Sequence, residues 1–270
     1  MCDHCGCSAP PPDAAHEHDH SHAHAHGHAH GHTHHHDHDE ERRTVALHQS
    51  LMAKNNLLAE RNRGFFLGRG LLALNLMSSP GSGKTALLER TLCDLRDEFK
   101  MATLVGDLAT DNDAVRLRKA GSPSVQISTG TVCHLDAHMI QHALEDLGAA
   151  QVDLLFIENV GNLVCPAGFD LGEDLRVVVM AVTEGEDKPL KYPSIFHGAD
   201  VVLINKVDLA EAVEWTSDKA REHVRQAAPH ATQLEVSART GAGLEAWYSL
   251  LRERLLAKRA PRTAGHAHSH

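Results

Sequence analysis

The sequence predicts an α/β domain built on a doubly wound, mostly parallel sheet with helices on both faces, preceded by a disordered His-rich arm. Three observations point to it. After Leu71, short apolar runs alternate with helical stretches. A Ser- and Gly-rich octet, SSPGSGKT (78–85), stands between the first apolar run and the next helical stretch. And residues 1–43 are almost all His, Ala, Gly, Asp and Pro, which cannot bury enough apolar surface to offset the entropy of ordering them.

In chain order, 1–43 is the arm, 44–260 a folded domain with an N-terminal helix, and 261–270 a short His-containing tail. Val45, Leu47, Leu51, Met52, Leu57 and Leu58 recur at three- and four-residue spacing, which predicts a helix from Val45 to Arg61. Glycines between Asn62 and Gly70 predict a turn. Strands are expected at 71–77, 101–105, 124–128, 153–158, 175–182, 200–205 and 233–237. Helices are expected at 84–99, 112–120, 134–147, 216–228 and 243–258. The continuous apolar strands indicate a sheet covered on both faces.

The chain has 270 residues, 42% of them hydrophobic, and a net charge of −10 with histidine neutral. That charge argues against nucleic acid or an anionic membrane surface as partner. No apolar run approaches the ~18 residues of a spanning helix, and the N-terminus lacks a charged-then-apolar leader. A cytoplasmic address is expected, where the six cysteines read as metal ligands, nucleophiles or small buried residues rather than disulfides. Cys93, flanked by Leu92 and Leu95, reads as core.

The octet fits a phosphate-binding P-loop, and with it a P-loop NTPase fold, except that Ser78 stands where the pattern wants its first glycine. Gly81, Ser82 and Gly83 allow a tight turn whose N–H groups converge on a phosphate, and the following helix adds its positive end. Lys84 would reach the β/γ-phosphates and Thr85 would ligate Mg²⁺. Asn205, Lys206 and Asp208 follow a strand as N-K-V-D. A carboxylate at Asp208 can accept from guanine N1–H and the 2-amino group together, which adenine does not offer. Ser237 and Ala238 close the next strand, and the Ala238 N–H is placed to meet guanine O6. Asp208 as a plain helix cap is the competing reading. Glu158 ends a buried strand as a candidate Mg²⁺ contact through water, and the Gly161 amide is placed to sense the γ-phosphate. Asp107 is a candidate for the Mg²⁺ shell or for positioning water, whereas Asp111 and Asp113 read as caps of the next helix.

Cys133, His134 and Cys165 fall near strand ends on the edge where such sheets bind ligands. Two thiolates and an imidazole suit Zn²⁺ or Ni²⁺ with an open fourth position; the spacing alone suits two half-buried structural cysteines equally well. Cys2, Cys5 and Cys7 are close enough to hold one soft or borderline ion. The arm carries His16, His18, His20, His22, His24, His26, His28, His30, His32, His34, His35, His36 and His38. Its H-x-H alternation offers many weak, interchangeable sites, interleaved with Asp, Ala and Gly unlike the unbroken run of a cloning tag.

Taken together, C-x-x-C-G-C at Cys2, SSPGSGKT, GD at 106–107, TGTVCHLDA, IENVGNLVCP, KYP at 191–193, N-K-V-D and S-A-R resemble the HypB-type hydrogenase nickel-incorporation GTPases. Ser78, odd for a general P-loop, is similar to what that family carries. The resemblance spans residues 2–239. It implies a GTPase that uses GTP/GDP, Mg²⁺, Ni²⁺ and Zn²⁺, dimerises in a nucleotide- and metal-linked way, and loads nickel into the [NiFe]-hydrogenase large-subunit precursor; turnover is expected to be slow, because no arginine is marked by its sequence context as a finger and no glutamine as a water-positioning residue. It further implies a HypA-type nickel/zinc protein and a SlyD-type prolyl isomerase as partners. By position, Cys133, His134 and Cys165 match the family's G-domain metal site, and Cys2, Cys5 and Cys7 its N-terminal nickel motif. The alternatives are a nickel storage protein whose G-domain matters little, and a urease- or cobalamin-type metallochaperone of the same class.

Overall fold

The computed structural model of the chain describes residues 37–107, 111–148 and 151–260, with side chains from residue 49 onward. Cys2, Cys5 and Cys7, the histidines from His16 to His36, the side chain of His38 and the tail 261–270 lie outside them. The chain divides into two units, Met1–Ala53 and Lys54–His270; the second holds the sheet.

The elements are α1 (Asp37–Arg69), β1 (Leu72–Ser78), α2 (Lys84–Leu95), β2 (Met101–Asp107), α3 (Asn112–Lys119), β3 (Ser124–Ser128), α4 (Ala137–Leu147), β4 (Leu154–Gly161), β5 (Leu175–Ala181), α5 (Lys188–Lys191), α6 (Pro193–His197), β6 (Val201–Asn205), α7 (Ser217–Ala227), β7 (Thr232–Glu235) and α8 (Leu244–Arg259). The strands form one sheet in the order β3-β2-β4-β1-β5-β6-β7, and every pair is parallel. The expected doubly wound α/β fold is therefore present. β1 lies between β4 and β5, where the strand order reverses, so its carboxyl end opens onto the crevice at which such sheets bind ligands.

Alternation along β1 sorts the core. Leu72, Leu74 and Leu76 join α2, α3 and α8 on one face, whereas Ala73 faces the α1 and α4 side. A third apolar cluster packs α6 and α7 on β5 and β6. Trp247 of α8 is fully buried and donates from Nε1 to the Thr91 hydroxyl at 3.2 Å, so its polar edge is satisfied inside the core.

The structure departs from expectation at several places. α1 begins before Val45 and runs past Arg61 through the expected turn to Arg69. Gly64 and Gly68 face open space, where a helical glycine costs about 1 kcal/mol against alanine. Burial of Phe66 outweighs that, as do the bonds from Asn62 Nδ2 to the carbonyls of Ala137 and Leu171 at 2.9 and 3.1 Å. α4 starts at Ala137 rather than 134, because Asp136 caps it by accepting the Met139 N–H at 2.8 Å. Cys133 and His134 thus precede the helix. Cys93 is exposed, not core: α2 buries Leu87, Leu88, Thr91, Leu92 and Leu95, and Cys93 falls on its other side. The short helices α5 and α6 were not anticipated, each being about one turn and carrying a proline at its start.

Candidate functional site

The octet closes the carboxyl end of β1 and opens α2, as a phosphate loop requires. Gly83 adopts φ +95°, and a Cβ there would stand 2.7 Å from Asn205 Nδ2, so both conformation and space demand glycine. Lys84 is buried, and its Nζ donates to the Ser78 hydroxyl at 2.7 Å. Ser78, in the place of the missing glycine, is thus the internal partner of the lysine. Burial pushes the Lys84 pKa down, while Glu158, Asp113 and Glu184 oppose the shift. Ser82 Oγ is buried with no hydrogen-bond partner.

Glu158, on the next strand, faces the same corner. The β1–β4 register pairs Leu76 with Glu158 and then slips, setting Ser78 opposite Gly161. A Cβ on Gly161 would meet Pro80 at 3.2 Å, so β4 lies close against the loop. Thr85 Oγ1 donates to Glu158 Oε1 at 2.7 Å, and Glu158 Oε2 is buried without a partner. Burial raises the Glu158 pKa to about 7 against the pull of Lys84. An orphaned carboxylate oxygen beside a hydroxyl suits a hydrated Mg²⁺. Asp107 ends β2, half-buried, its carbonyl accepting the Thr129 N–H at 3.1 Å. Asp111 stands at the N-cap of α3 without a side-chain capping bond, and Asp113 lies in the first turn, 3.5 Å from Arg116.

The base-recognition residues meet the loop from the other side. Asn205 Nδ2 donates to the Ser82 carbonyl at 3.0 Å, and Lys206, with φ +62°, donates from Nζ to the Gly81 carbonyl at 2.6 Å. Asp208 accepts the Ser237 hydroxyl on Oδ1 at 2.6 Å, which fixes the carboxylate, and Oδ2 stands 3.8 Å from the exposed Arg239. Asp208 is therefore tied to the next loop rather than capping a helix. The Ala238 N–H donates to Asn205 Oδ1 at 3.2 Å in this state, so a guanine oxygen would have to take it over.

Cys133, His134 and Cys165 come together. Their ligand atoms all lie within 4.8 Å of one another, and each residue is half-buried. The two sulfurs are 2.7 Å apart. The His134 ring stacks on Phe169 with centroids 3.8 Å apart, and its Nδ1 is buried without a hydrogen-bond partner. Burial holds the imidazole pKa below its usual value and so favours the neutral form that binds metals, although Asp136 pulls the other way. Two thiols and an imidazole with no fourth protein ligand among the described residues form a donor set for Zn²⁺ or Ni²⁺.

Sequence reasoning missed Phe169, and also a buried polar chain beneath the site. Asn75 Nδ2 donates to Glu173 Oε1 at 3.2 Å, Asn159 Nδ2 to Asn75 Oδ1 at 3.1 Å, and Leu135 N–H to Asn159 Oδ1 at 3.2 Å. Burial raises the Glu173 pKa, opposed by the Arg176 guanidinium, whose Nε stands 2.8 Å from Oε1. An asparagine inside each of two apolar strands was the available signal.

The model of the CobW/HypB/UreG nucleotide-binding domain matches residues 72–235. The hydrogenase maturation factor HypB of Rhizobium leguminosarum bv. viciae is 49% identical over 223 residues, covering 83% of this chain and 74% of that protein. The crystal structure of HypB from Archaeoglobus fulgidus is similar with a TM-score of 0.71 at 46% identity, over 75% of this chain and 99% of that one. HypB from Helicobacter pylori, crystallised in complex with nickel, also has a TM-score of 0.71, at 43% identity over 79% and 99% of the two chains.

Proposed function

The chain belongs to the CobW/HypB/UreG family, in its HypB branch of hydrogenase maturation GTPases, and from that premise we propose that it is a GTP-hydrolysing metallochaperone that stores nickel and delivers it to the [NiFe]-hydrogenase precursor. One observation carries the reading. Glu158, which touches the Thr85 hydroxyl in the phosphate corner, and Cys165, which completes the thiol–imidazole cluster, lie on β4 and the loop it runs into. Nucleotide and metal would be handled on one edge of one sheet. The nickel-bound relative from Helicobacter pylori supports nickel as cargo.

On that reading each residue has a role. The loop N–H groups and Lys84 hold the phosphates, and the carboxylate of Asp208 selects guanine. Thr85 and Glu158 would hold Mg²⁺, the latter through water, with Asp107 near by. Bound there, the ion neutralises charge on the phosphate oxygens. The Gly161 amide reads the γ-phosphate. The sequence marks no arginine as a finger and no glutamine as a water-positioning residue, so intrinsic turnover is expected at roughly 10⁻⁴–10⁻² per second. Cys133, His134 and Cys165 hold Ni²⁺ or Zn²⁺. Cys2, Cys5 and Cys7 form a tighter nickel site and the arm histidines a buffer. A nucleotide- and metal-linked homodimer and, as partners, a HypA-type nickel/zinc protein and a SlyD-type prolyl isomerase rest on the family resemblance; a cytoplasmic address is the default reading of the sequence. No described helix is long and apolar enough to cross a membrane.

Lys84→Ala is the deciding variant. It removes the phosphate-binding cation and leaves every metal ligand intact. Hydrogenase maturation should be lost even in excess nickel; normal maturation by that variant would overturn the GTP-driven role and leave storage.

A further inference from the structure

Successive residues of a strand face opposite sides of its sheet, one residue apart in rise. Within β4 this places Glu158 on the α2 face, against Thr85, and Asn159 on the α4 face, where its side-chain Oδ1 accepts the Leu135 N–H. Leu135 directly follows Cys133 and His134. It is fully buried and seated on Gly106, where a Cβ would come within 2.8 Å of its side chain, one residue before Asp107. The metal-bearing segment is thus held by Leu135 against β2, which ends in Asp107, and β4, which carries Glu158 and runs on to Gly161 rather than ending at Glu158 as the sequence suggested.

The orientation of the Asn159 amide is fixed from both ends. Glu173 accepts on both carboxylate oxygens, from Asn75 Nδ2 and from the Leu171 N–H at 2.7 Å. Asn75 must therefore turn its oxygen toward Asn159, and Asn159 must turn its NH₂ to Asn75 and its oxygen to Leu135. Asn75 is completely buried and Asn159 is 2% exposed, so water cannot substitute for a lost partner.

We propose that Asn159 is a positioning residue that transmits nucleotide contact at Glu158 through the sheet to Cys133 and His134. A shift of the β4 end that accompanies ligation at Glu158 carries Asn159 with it. The Leu135 N–H follows, and the spacing of Cys133 and His134 from Cys165 changes. The inference rests on the reading of those three residues as metal ligands and of Glu158 as a nucleotide-side group.

Asn55 supplies the control. Its Oδ1 accepts the Ala137 N–H at 2.9 Å, two residues further along the same segment, but it belongs to α1 and not to the sheet. Each truncation removes one amide-to-backbone bond from that segment; only Asn159 connects it to Glu158. The full chain carrying Cys2, Cys5 and Cys7→Ala is titrated with Ni²⁺ in GDP and in a non-hydrolysable GTP analogue. Sulfur-to-nickel charge-transfer absorption is the readout, which the histidine arm cannot produce. The parent should show nickel affinities that differ between nucleotides by about fivefold or more. Asn55→Ala should keep that ratio, and Asn159→Ala should bring it to near one while each nucleotide still binds. Should Asn159→Ala not fold, Asn159→Ser, whose hydroxyl is too short to span both partners, is read the same way. An unchanged ratio in the Asn159 variant overturns the positioning role alone. A ratio of one in the parent overturns it together with the nucleotide–metal linkage. Equal loss in Asn55→Ala and Asn159→Ala reduces Asn159 to a structural tether and also overturns it.

Discussion

The Thr85 hydroxyl donates a 2.7 Å hydrogen bond to one carboxylate oxygen of Glu158, and the other oxygen of that carboxylate is buried with no partner. The helix that follows the phosphate loop and the strand that leads to Cys165 meet at this bond. A carboxylate left half-satisfied in a dry corner is costly unless something arrives to complete it.

Glu158→Gln should stabilise the nucleotide-free protein, and only above strongly acidic pH. The folded-state pKa is raised from 4.5 to about 7, so the folded protein holds this proton more tightly than the unfolded chain. The folded state is therefore unpenalised below pH ~4.5, loses stability as pH rises toward ~7, and is level beyond it. Urea denaturation should show the variant more stable than the parent by about 3 kcal/mol at pH 8, by about 1 kcal/mol at pH 5, and nearly equal at about pH 4. Saturating Mg²⁺ and GDP should shrink the gap at pH 8. A gap that does not vary with pH would mean the buried carboxylate is not the cause.

Asp208→Asn should move the base preference. The carboxylate accepts the Ser237 hydroxyl at 2.6 Å and would meet a guanine as a pure acceptor. An amide there turns a donor to the base, so GTP binding should weaken by about 100-fold, and xanthosine triphosphate, with a carbonyl in place of the 2-amino group, should gain. Direct titration with both nucleotides decides. Unchanged GTP affinity would remove Asp208 from recognition.

Cys165→Ser should abolish charge-transfer absorption from nickel at the G-domain in the background lacking Cys2, Cys5 and Cys7, and leave GDP affinity within about twofold. Cys165 lies beyond β4, outside the phosphate corner, and the ligand atoms it shares with Cys133 and His134 lie within 4.8 Å of one another. Persistence of the band would place the nickel elsewhere.

Total nickel capacity should fall steeply on acidification through the imidazole pKa of ~6.5, because protons compete for the arm histidines while thiolate sites hold nickel to lower pH. Equilibrium dialysis at pH 7.5 and pH 5 measures it. Full stoichiometry at pH 5 would contradict the buffer role of the arm.

What could be read in advance follows the range of the interactions involved. Lys84, Thr85, Asn205 and Asp208 were legible because their chemistry depends on spacing within one loop after one strand. The parallel sheet was legible from its continuous apolar runs. The end of α1 was not: its glycines argue locally for a turn, and it is Phe66 and Asn62, packed against residues far along the chain, that extend the helix. Cys93 misled because two flanking leucines mark a helix as amphipathic without showing which side an intervening residue takes. The cluster of Cys133, His134 and Cys165 was half legible: topology brought the segments to one edge, but only the fold shows the ligand atoms converging and Phe169 stacked on the ring. The chain from Glu173 through Asn75 and Asn159 to Leu135 showed in the sequence only as an asparagine inside each of two apolar strands, since each link joins segments distant in sequence.

The central claim is that one sheet edge links nucleotide and metal, and linkage makes the effect reciprocal. The most direct test measures the affinities of the full chain for GDP and for a non-hydrolysable GTP analogue, with and without saturating Zn²⁺. The account predicts that metal changes the ratio of the two nucleotide affinities, by the same factor of about five or more by which nucleotide changes metal affinity, and that Cys133→Ala abolishes the change. A nucleotide ratio identical with and without metal would contradict it.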